Sequence, residues 1–422
     1  MSFALPDRLM SLLGIFAFLS LAYALSNNRK AIQWKGIASG LGLLFLFAFL
    51  ILGIPAFQIR GLFRFVFEGL NTFVSTIIDF TSAGAQFLFG PLAEAREPWG
   101  FVFAFRALPS IVFFSALMAL LFHLNILQRV VKAVAWVMQK TMKTSGAETL
   151  SNAANIFIGQ TEAPLIVKPY IANMTPSEIF CIMVGGMATI AAGVEAAYIG
   201  LLKDRIPDIA GHLLTASFCS CFAGMVISKI MCPETAKPET TGQVKVPKID
   251  LDTNAIEAIA RGASEGMKLA INVAAMLIAF IAILALFDAG IGKLGLWLGI
   301  EQPLSFSWIM GYVCRPFAWL LGVPWAESMT VGKLLGEKTV LNEFVAYVHL
   351  AKDGSLLSDR TMIICSYALC GFANFSSIGI QLGGIGVMAP NQRPHLAKLG
   401  VKAVIGGTLA TFISACVAGL LY

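Results

Sequence analysis

Long apolar runs, cut by short polar breaks, set the pattern of this chain. Eight of them are long enough, at about 17 to 25 residues, to cross a hydrocarbon core roughly 30 Å thick. They run from Met10 to Leu25, Gly36 to Ile54, Phe101 to Phe122, Ser177 to Leu201, Ala210 to Ile230, Leu269 to Phe287, Thr361 to Met388 and Leu399 to Leu421. Between them lie shorter pieces. Glu148 to Ile158 and Ala163 to Ile171 flank the break Gly159-Gln160-Thr161-Glu162-Ala163-Pro164. About ten helical residues reach only about 15 Å, so each piece is too short to span alone and the two suit a re-entrant hairpin. The region Trp325 to Leu350 repeats the device, with a break expected around Gly336-Glu337-Lys338 before Asn342-Glu343-Phe344-Val345. Each hairpin precedes two full spans.

Two spans carry interruptions of their own. Gly185 to Gly193 loosens the span after the first hairpin, and Gly371-Phe372-Ala373-Asn374-Phe375-Ser376-Ser377 loosens the one after the second. Non-helical backbone at this depth is tolerated where it lines a cavity or is buried in protein. An ionisable side chain there costs about 3 kcal/mol on insertion scales, so Glu162 is a functional candidate by its position alone. Arg60 to Phe80 and Leu127 to Met142 mix apolar residues with spaced charges, the pattern of helices lying in the interface.

Composition confirms lipid as the solvent: of 422 residues, 57% are hydrophobic and 13% charged, with a mean hydropathy of +0.79. Such a chain cannot cover a soluble globule. The net charge of +6 is a topology signal, not a nucleic-acid footprint. Arg29, Lys30 and Lys35 follow the first span; Arg129, Lys132, Lys140 and Lys143 follow the third; Arg393, Lys398 and Lys402 separate the last two. The positive-inside rule places these clusters in the cytoplasm and both termini outside. Ala22-Tyr23-Ala24 resembles a signal-peptidase site, but the basic cluster follows the apolar run, so the segment reads as a retained span. The segments around Ala93 to Pro98 and Lys203 to Asp208 fall outside. The first hairpin then enters from the cytoplasm and the second from the opposite face, as in inverted-repeat secondary transporters with a midplane site.

Domain boundaries follow: 1–125 mainly scaffold spans and an interfacial helix, 126–231 the first half of a transport domain, 232–253 a cytoplasmic linker rich in Pro, Thr, Lys and Glu, 254–323 a scaffold span with interfacial segments, and 324–422 the second half of the transport domain. Most of the eight cysteines sit in apolar spans, where they pack as small hydrophobes, and no metal-ligand spacing joins them. No HExxH, GxSxG or phosphate-binding loop occurs, which argues against an enzyme.

Three motifs carry a resemblance. Gly159-Gln160-Thr161-Glu162-Ala163-Pro164-Leu165, Gly336-x-Lys338-x-x-x-Asn342-Glu343-Phe344-Val345-Ala346-Tyr347 and Ala368-Leu369-Cys370-Gly371-Phe372-Ala373-Asn374 resemble hallmarks of the concentrative nucleoside transporters. The likeness extends over nearly the whole chain, including Phe105-Arg106-Ala107-Leu108-Pro109. It implies a sodium-driven importer of nucleosides such as uridine in a bacterial inner membrane, a homotrimer whose protomers each move a transport domain within a fixed scaffold. By motif, Gln160, Thr161 and Glu162 would meet the nucleobase, with Val194 and Phe372 as apolar walls. Glu343, Asn374 and Ser377 would meet the ribose hydroxyls. The coupling ion, sodium, would be held by the carbonyls of Asn155, Ile158 and Ile190 with the hydroxyls of Thr161 and Thr189, the last standing where relatives often have Ser.

Plainer readings stand beside these. Glu162 and Glu343 could cap exposed amides at hairpin tips; Asn374, Ser376 and Ser377 could satisfy a kinked backbone; Phe372 could be core. Thr161 and Thr189 could be packing hydroxyls. Arg106 and Lys168 have no assigned substrate role. A proton-coupled carrier, or a carrier of another small polar solute, would use the same framework.

Overall fold

The computed structural model describes residues 5–55, 59, 61–93, 102–242, 252–297 and 304–422. The outer segment expected at Ala93 to Pro98 lies outside these residues beyond Ala93, as does the linker at 243–251.

The apolar pattern becomes helices: α1 (Leu5–Ala24), α2 (Trp34–Leu52), α3 (Arg64–Phe89), α4 (Phe103–Arg106), α5 (Leu108–His123), α6 (Ile126–Met142), α7 (Gly146–Ala154), α8 (Lys168–Ile171), α9 (Pro176–Ala188), α10 (Ala192–Leu202), α11 (Ile209–Met231), α12 (Ala255–Trp297), α13 (Phe306–Leu320), α14 (Ser328–Val340), α15 (Glu343–Asp353), α16 (Asp359–Leu369), α17 (Phe375–Met388) and α18 (Arg393–Leu421). Among the described residues the only β pairing is two isolated bridges. Among the described residues, seven stretches are helical, long and apolar enough to cross a membrane. The expected eighth, Thr361 to Met388, is split into α16 and α17.

Several boundaries move. The span expected at Leu269 to Phe287 is only the apolar middle of α12, whose 43 residues reach about 65 Å. Its first turns carry Glu257, Arg261 and Glu265, charges that hid its continuity from a hydropathy reading. The second hairpin does not break at Gly336 to Lys338, where α14 runs unbroken through Val340. The break falls at Leu341 and Asn342, because the Asn342 side chain accepts the Val345 amide and starts α15 there. Gly336 is small for packing: a Cβ there would crowd the Met310 side chain. In the first broken span, Gly185 and Gly186 are helical and the interruption narrows to Thr189–Ala191.

Burial divides the helices into two sets. In the most apolar 18-residue windows, 89% of the α9–α10 stretch and 83% of α11 are enclosed by protein, against 22% of α12 and 28% of α5. The outer set turns Ile271, Ile278, Leu286 and Phe287 outward, side chains a hydrocarbon solvent accepts. α5 and α12 touch through small residues: a Cβ on Gly262 or Gly266 would collide with Ser115, Ala116 or Val112, the close approach of small-xxx-small contacts. α1, itself 28% enclosed, packs against the inner set, with Phe18 on Phe412 at 5.3 Å and Ser11 Oγ donating to the Leu321 carbonyl at 2.8 Å.

The inner set shows one element order twice. α7, a turn, a 3₁₀ segment (Ala163–Val167) with α8, the broken pair α9 and α10, and then α11 are matched by α14, a turn, α15, the broken pair α16 and α17, and α18. The segment following α11 is not free coil where described: Thr240 accepts the Gly146 amide on its carbonyl at 3.0 Å and the Ala147 amide on its hydroxyl at 3.0 Å, docking the linker on the first hairpin.

Candidate functional site

A cavity of about 360 Å³ opens between the inner set and the α5–α12 wall. Gln160, Thr161, Glu162, Val194, Glu343, Phe372, Asn374 and Ser377 all line it, although the sequence scatters them over more than two hundred positions. The volume lies in the range of small-molecule sites.

Helix ends assemble it. α10, α15 and α17 begin at Ala192, Glu343 and Phe375, so three N-termini, with their partial positive charge, meet around one space. α15 is capped by Asn342, whose side chain accepts the Val345 amide at 2.9 Å; α17 is capped by Asn374, whose Oδ1 accepts the Ser377 amide at 3.0 Å. α10 has no side-chain cap; in its first turn the Val194 and Glu195 amides donate to the Ala191 carbonyl at 3.0 and 2.9 Å.

The polar side chains form a chain of hydrogen bonds. Glu343, 4% exposed, accepts from Tyr198 Oη on Oε1 at 2.9 Å and from Asn374 Nδ2 on Oε2 at 2.9 Å. Ser376 Oγ donates to Asn374 Oδ1 at 2.7 Å. Gln160 Nε2 donates to Ser377 Oγ at 3.2 Å, and Gln381 Nε2 donates to Gln160 Oε1 at 2.9 Å and to the Met183 carbonyl at 3.0 Å. This network orients Gln160 and Glu343 while leaving each with unused capacity, since a carboxylate offers about four acceptor sites. The Glu162 carboxylate folds back over Gly159, where a Cβ would displace it. Phe372 stands half-buried at the wall, its amide donating to the Thr189 carbonyl at 3.3 Å.

The residues named for sodium lie behind and beside this cavity. Ile158 and Thr161 line it; Asn155, Thr189 and Ile190 are buried. The Ala192 amide donates to the Phe157 carbonyl at 3.2 Å, fastening the 155–158 turn beside the Thr189–Ala191 break. Among the described residues, the carbonyls of Asn155, Ile158 and Ile190 accept no hydrogen bond, and both polar atoms of the buried Asn155 side chain are unpartnered. Uncommitted neutral oxygens of this kind suit a hard monovalent cation. The Thr189 hydroxyl donates to the Gly185 carbonyl at 3.0 Å, which leaves its lone pairs free.

Five residues escaped the sequence reading. Tyr198 and Gln381 buttress Glu343 and Gln160. Glu195, next to Val194, is buried and was open to the same cost argument as Glu162. Glu265 reaches the cavity from α12 together with Arg261. The Arg261 guanidinium is taken up by Asp252 at 2.7 Å and Glu265 at 3.0 Å, which holds the Asp252 carboxylate below its ordinary range, chiefly through that hydrogen bond.

Comparison with known proteins covers nearly the whole chain. Residues 13–92 match the family model "Na+ dependent nucleoside transporter N-terminus", 104–205 match "Nucleoside recognition", and 212–419 match "Na+ dependent nucleoside transporter C-terminus". An uncharacterized transporter of Haemophilus influenzae is 45% identical over 98% of this chain and 97% of its own length. The mouse sodium/nucleoside cotransporter 1 is 41% identical over 99% of this chain, which spans 64% of that longer protein. The solved structure of CNTnw in an inward-facing substrate-bound state superposes with a TM-score of 0.90 at 40% identity, covering 98% of both chains.

Proposed function

We propose a sodium-driven nucleoside symporter for this chain, which belongs to the Na+ dependent nucleoside transporter family and is an all-α, multi-pass membrane protein. The observation that carries the reading is the single cavity shared by the eight residues named from sequence, with Glu343, Asn374, Gln160 and Ser377 already oriented by their neighbours.

Each face of a nucleoside finds a counterpart. Vicinal ribose hydroxyls donate to the remaining acceptor positions of Glu343 and bond Asn374 and Ser377; base edges meet Gln160, Thr161 and Glu162; the flat base lies against Phe372 and Val194. The cavity also selects against phosphate. Glu162, Glu265 and Glu343 line it, and Arg261, the one cation among its lining residues, is neutralised by Asp252 and Glu265. An uncharged uridine-like solute enters where a nucleotide is repelled.

Sodium is the co-transported substrate, held by the carbonyls of Asn155, Ile158 and Ile190 and the hydroxyls of Thr161 and Thr189. Thr161 belongs to both sets, so ordering the 159–162 turn around the ion also places the groups that meet the base. Such coupling is reciprocal. The remaining architecture follows: re-entrant hairpins at α7–α8 and α14–α15 in inverted repeats, a transport domain of 126–231 with 324–422 moving against scaffold spans, three protomers per assembly, and both termini on the periplasmic side of a bacterial inner membrane. The enclosed α9–α11 and α18 beside the outward-turned α5 and α12 support that division.

Radiolabelled uridine uptake into proteoliposomes tests the function. An inward sodium gradient is expected to drive accumulation that is lost in choline. Full uptake without sodium, rising at acid pH, would instead establish proton coupling; no uptake of any nucleoside would remove the substrate assignment.

A further inference from the structure

Lys338 is the one site-motif cation that the transport reading leaves without work. Its side chain is wholly buried, 0% exposed, and among the described residues it makes no ion pair. The ammonium instead donates to the Ala368 carbonyl at 2.7 Å and to Thr411 Oγ1 at 2.9 Å. A buried charge without a counter-ion is costly and persists only where its donors are well used.

The duplicated element order says where this ammonium sits. α14, which carries Lys338, matches α7; α16, which ends just after Ala368, matches α9; α18, which carries Thr411, matches α11. Lys338 therefore reaches from the end of the short helix to the C-terminal end of the broken one, as the proposed sodium bridges the turn after α7 to the end of α9. Its acceptors, a main-chain carbonyl and a threonine hydroxyl, are the ligand types proposed for that sodium. The two places are also neighbours: a Cβ on Gly371 would stand 2.7 Å from Thr411 Cγ2 and 2.9 and 3.0 Å from the carbonyl oxygens of Met187 and Ala188 at the end of α9. A positive charge at a helix C-terminus is favourable, and Glu343 lies within its electrostatic reach.

We infer that the Lys338 ammonium is a tethered cation, holding the second break in the role that sodium has at the first. The second half then draws no ion from solution, and one sodium accompanies each nucleoside. The inference rests on the symporter reading and makes Lys338 a positioning residue for the ribose site.

Sodium titrations of uridine uptake in proteoliposomes, on the native protein and two variants, test it. The native protein is expected to show a Hill slope near 1. Lys338→Ala should lower uptake at least 30-fold at the sodium concentration that saturates the native protein, and should recover with millimolar ethylammonium or with excess sodium at a slope approaching 2. Lys338→Met, which fills the space without charge, should be equally impaired and recover with neither; Lys338→Arg should retain part of the uptake. A native slope near 2, native behaviour of Lys338→Met, or a folded Lys338→Ala that no cation restores would overturn the inference. If neither variant folds, the native slope decides. Native uptake indifferent to sodium would overturn the symporter reading instead, and ethylammonium rescue of Lys338→Ala would still report on the tethered charge.

Discussion

At the first break, Thr189–Ala191, the polar groups on offer are mainly backbone: among the described residues the carbonyls of Asn155, Ile158 and Ile190 accept no hydrogen bond, and α10 starts without a side-chain cap, with the Thr189 hydroxyl and the unpartnered Asn155 side chain beside them. At the second, Cys370–Asn374, they are side chains already at work, with Asn374 capping α17 and bonding Glu343, and Lys338 bonding the carbonyl of Ala368. One element order has thus been finished with two chemistries. Fixed neutral oxygens suit a monovalent ion, whereas carboxylate, amide and hydroxyl side chains suit a sugar, so in the proposed function the halves divide the coupling ion and the ribose between them while the base lies across both.

The comparison fails outright if the hairpins open to the same side. A cysteine at Ala172, exposed at the base of the first hairpin, should react with an impermeant thiol reagent only from the cytoplasm. One at Lys352, exposed beside the second, should react only from the periplasm. Native thiols are buried apart from the half-buried Cys314, so background labelling is low. Both sites labelled from one face would remove the inverted relation and leave only a repeated order.

The next largest effect belongs to the ribose half. Glu343→Gln or Asn374→Ala should reduce uridine uptake at least about 100-fold, since each leaves buried polar partners unpaired at a cost of about 3 kcal/mol. A 3′-deoxynucleoside should be rejected by the native protein by up to about 10⁴-fold. Equal transport of ribo- and 3′-deoxyribonucleosides counts against the assignment.

How far the sequence reached follows from what kind of signal each residue left. Spans were legible because lipid demands long apolar runs, and Glu162 and Glu343 because a carboxylate is expensive there. Tyr198 and Gln381 were invisible because, within an apolar helix, neither differs from a packing residue until folding brings Tyr198 to Glu343 and Gln381 to Gln160, partners 145 and 221 positions away. The misplaced second break has a local cause. Glycine and two charges at Gly336–Lys338 read as a turn, while the operative signal was Asn342 ahead of Glu343, an N-cap before an acidic first turn. The charged start of α12 concealed Arg261 and Glu265 in the same way, since hydropathy located only that helix's apolar centre.

The ion half should respond more mildly, because each hydroxyl is one of five proposed ligands. Thr161→Val and Thr189→Val remove an oxygen with little change in volume and should each raise the sodium concentration for half-maximal uptake about 10-fold, equivalent to about 1.4 kcal/mol. Thr189→Ser keeps the oxygen and should shift it less than about 3-fold. Glu162→Gln should weaken nucleoside affinity while leaving sodium binding, measured without nucleoside, unchanged. The reverse ranking would move Glu162 from the base to the ion.

The smallest effect comes from Tyr198→Phe, and it sharpens the comparison most. The hydroxyl donates to Glu343 Oε1 at 2.9 Å, but the ring stays stacked on Tyr347 at 4.1 Å between centroids, so phenylalanine should keep the packing and lose one hydrogen bond. Asn374 still holds the other carboxylate oxygen, and a ribose hydroxyl can occupy the freed acceptor. The loss should therefore be about 1 kcal/mol, a fall in uridine affinity of about 5-fold. Because Tyr198 touches the sugar carboxylate and not the 155–161 turn, sodium binding measured without nucleoside should be unchanged, and discrimination against the 3′-deoxynucleoside should fall along with affinity. A sodium shift as large as that of Thr189→Val would mean that the two halves share one network and do not divide ion and ribose between them.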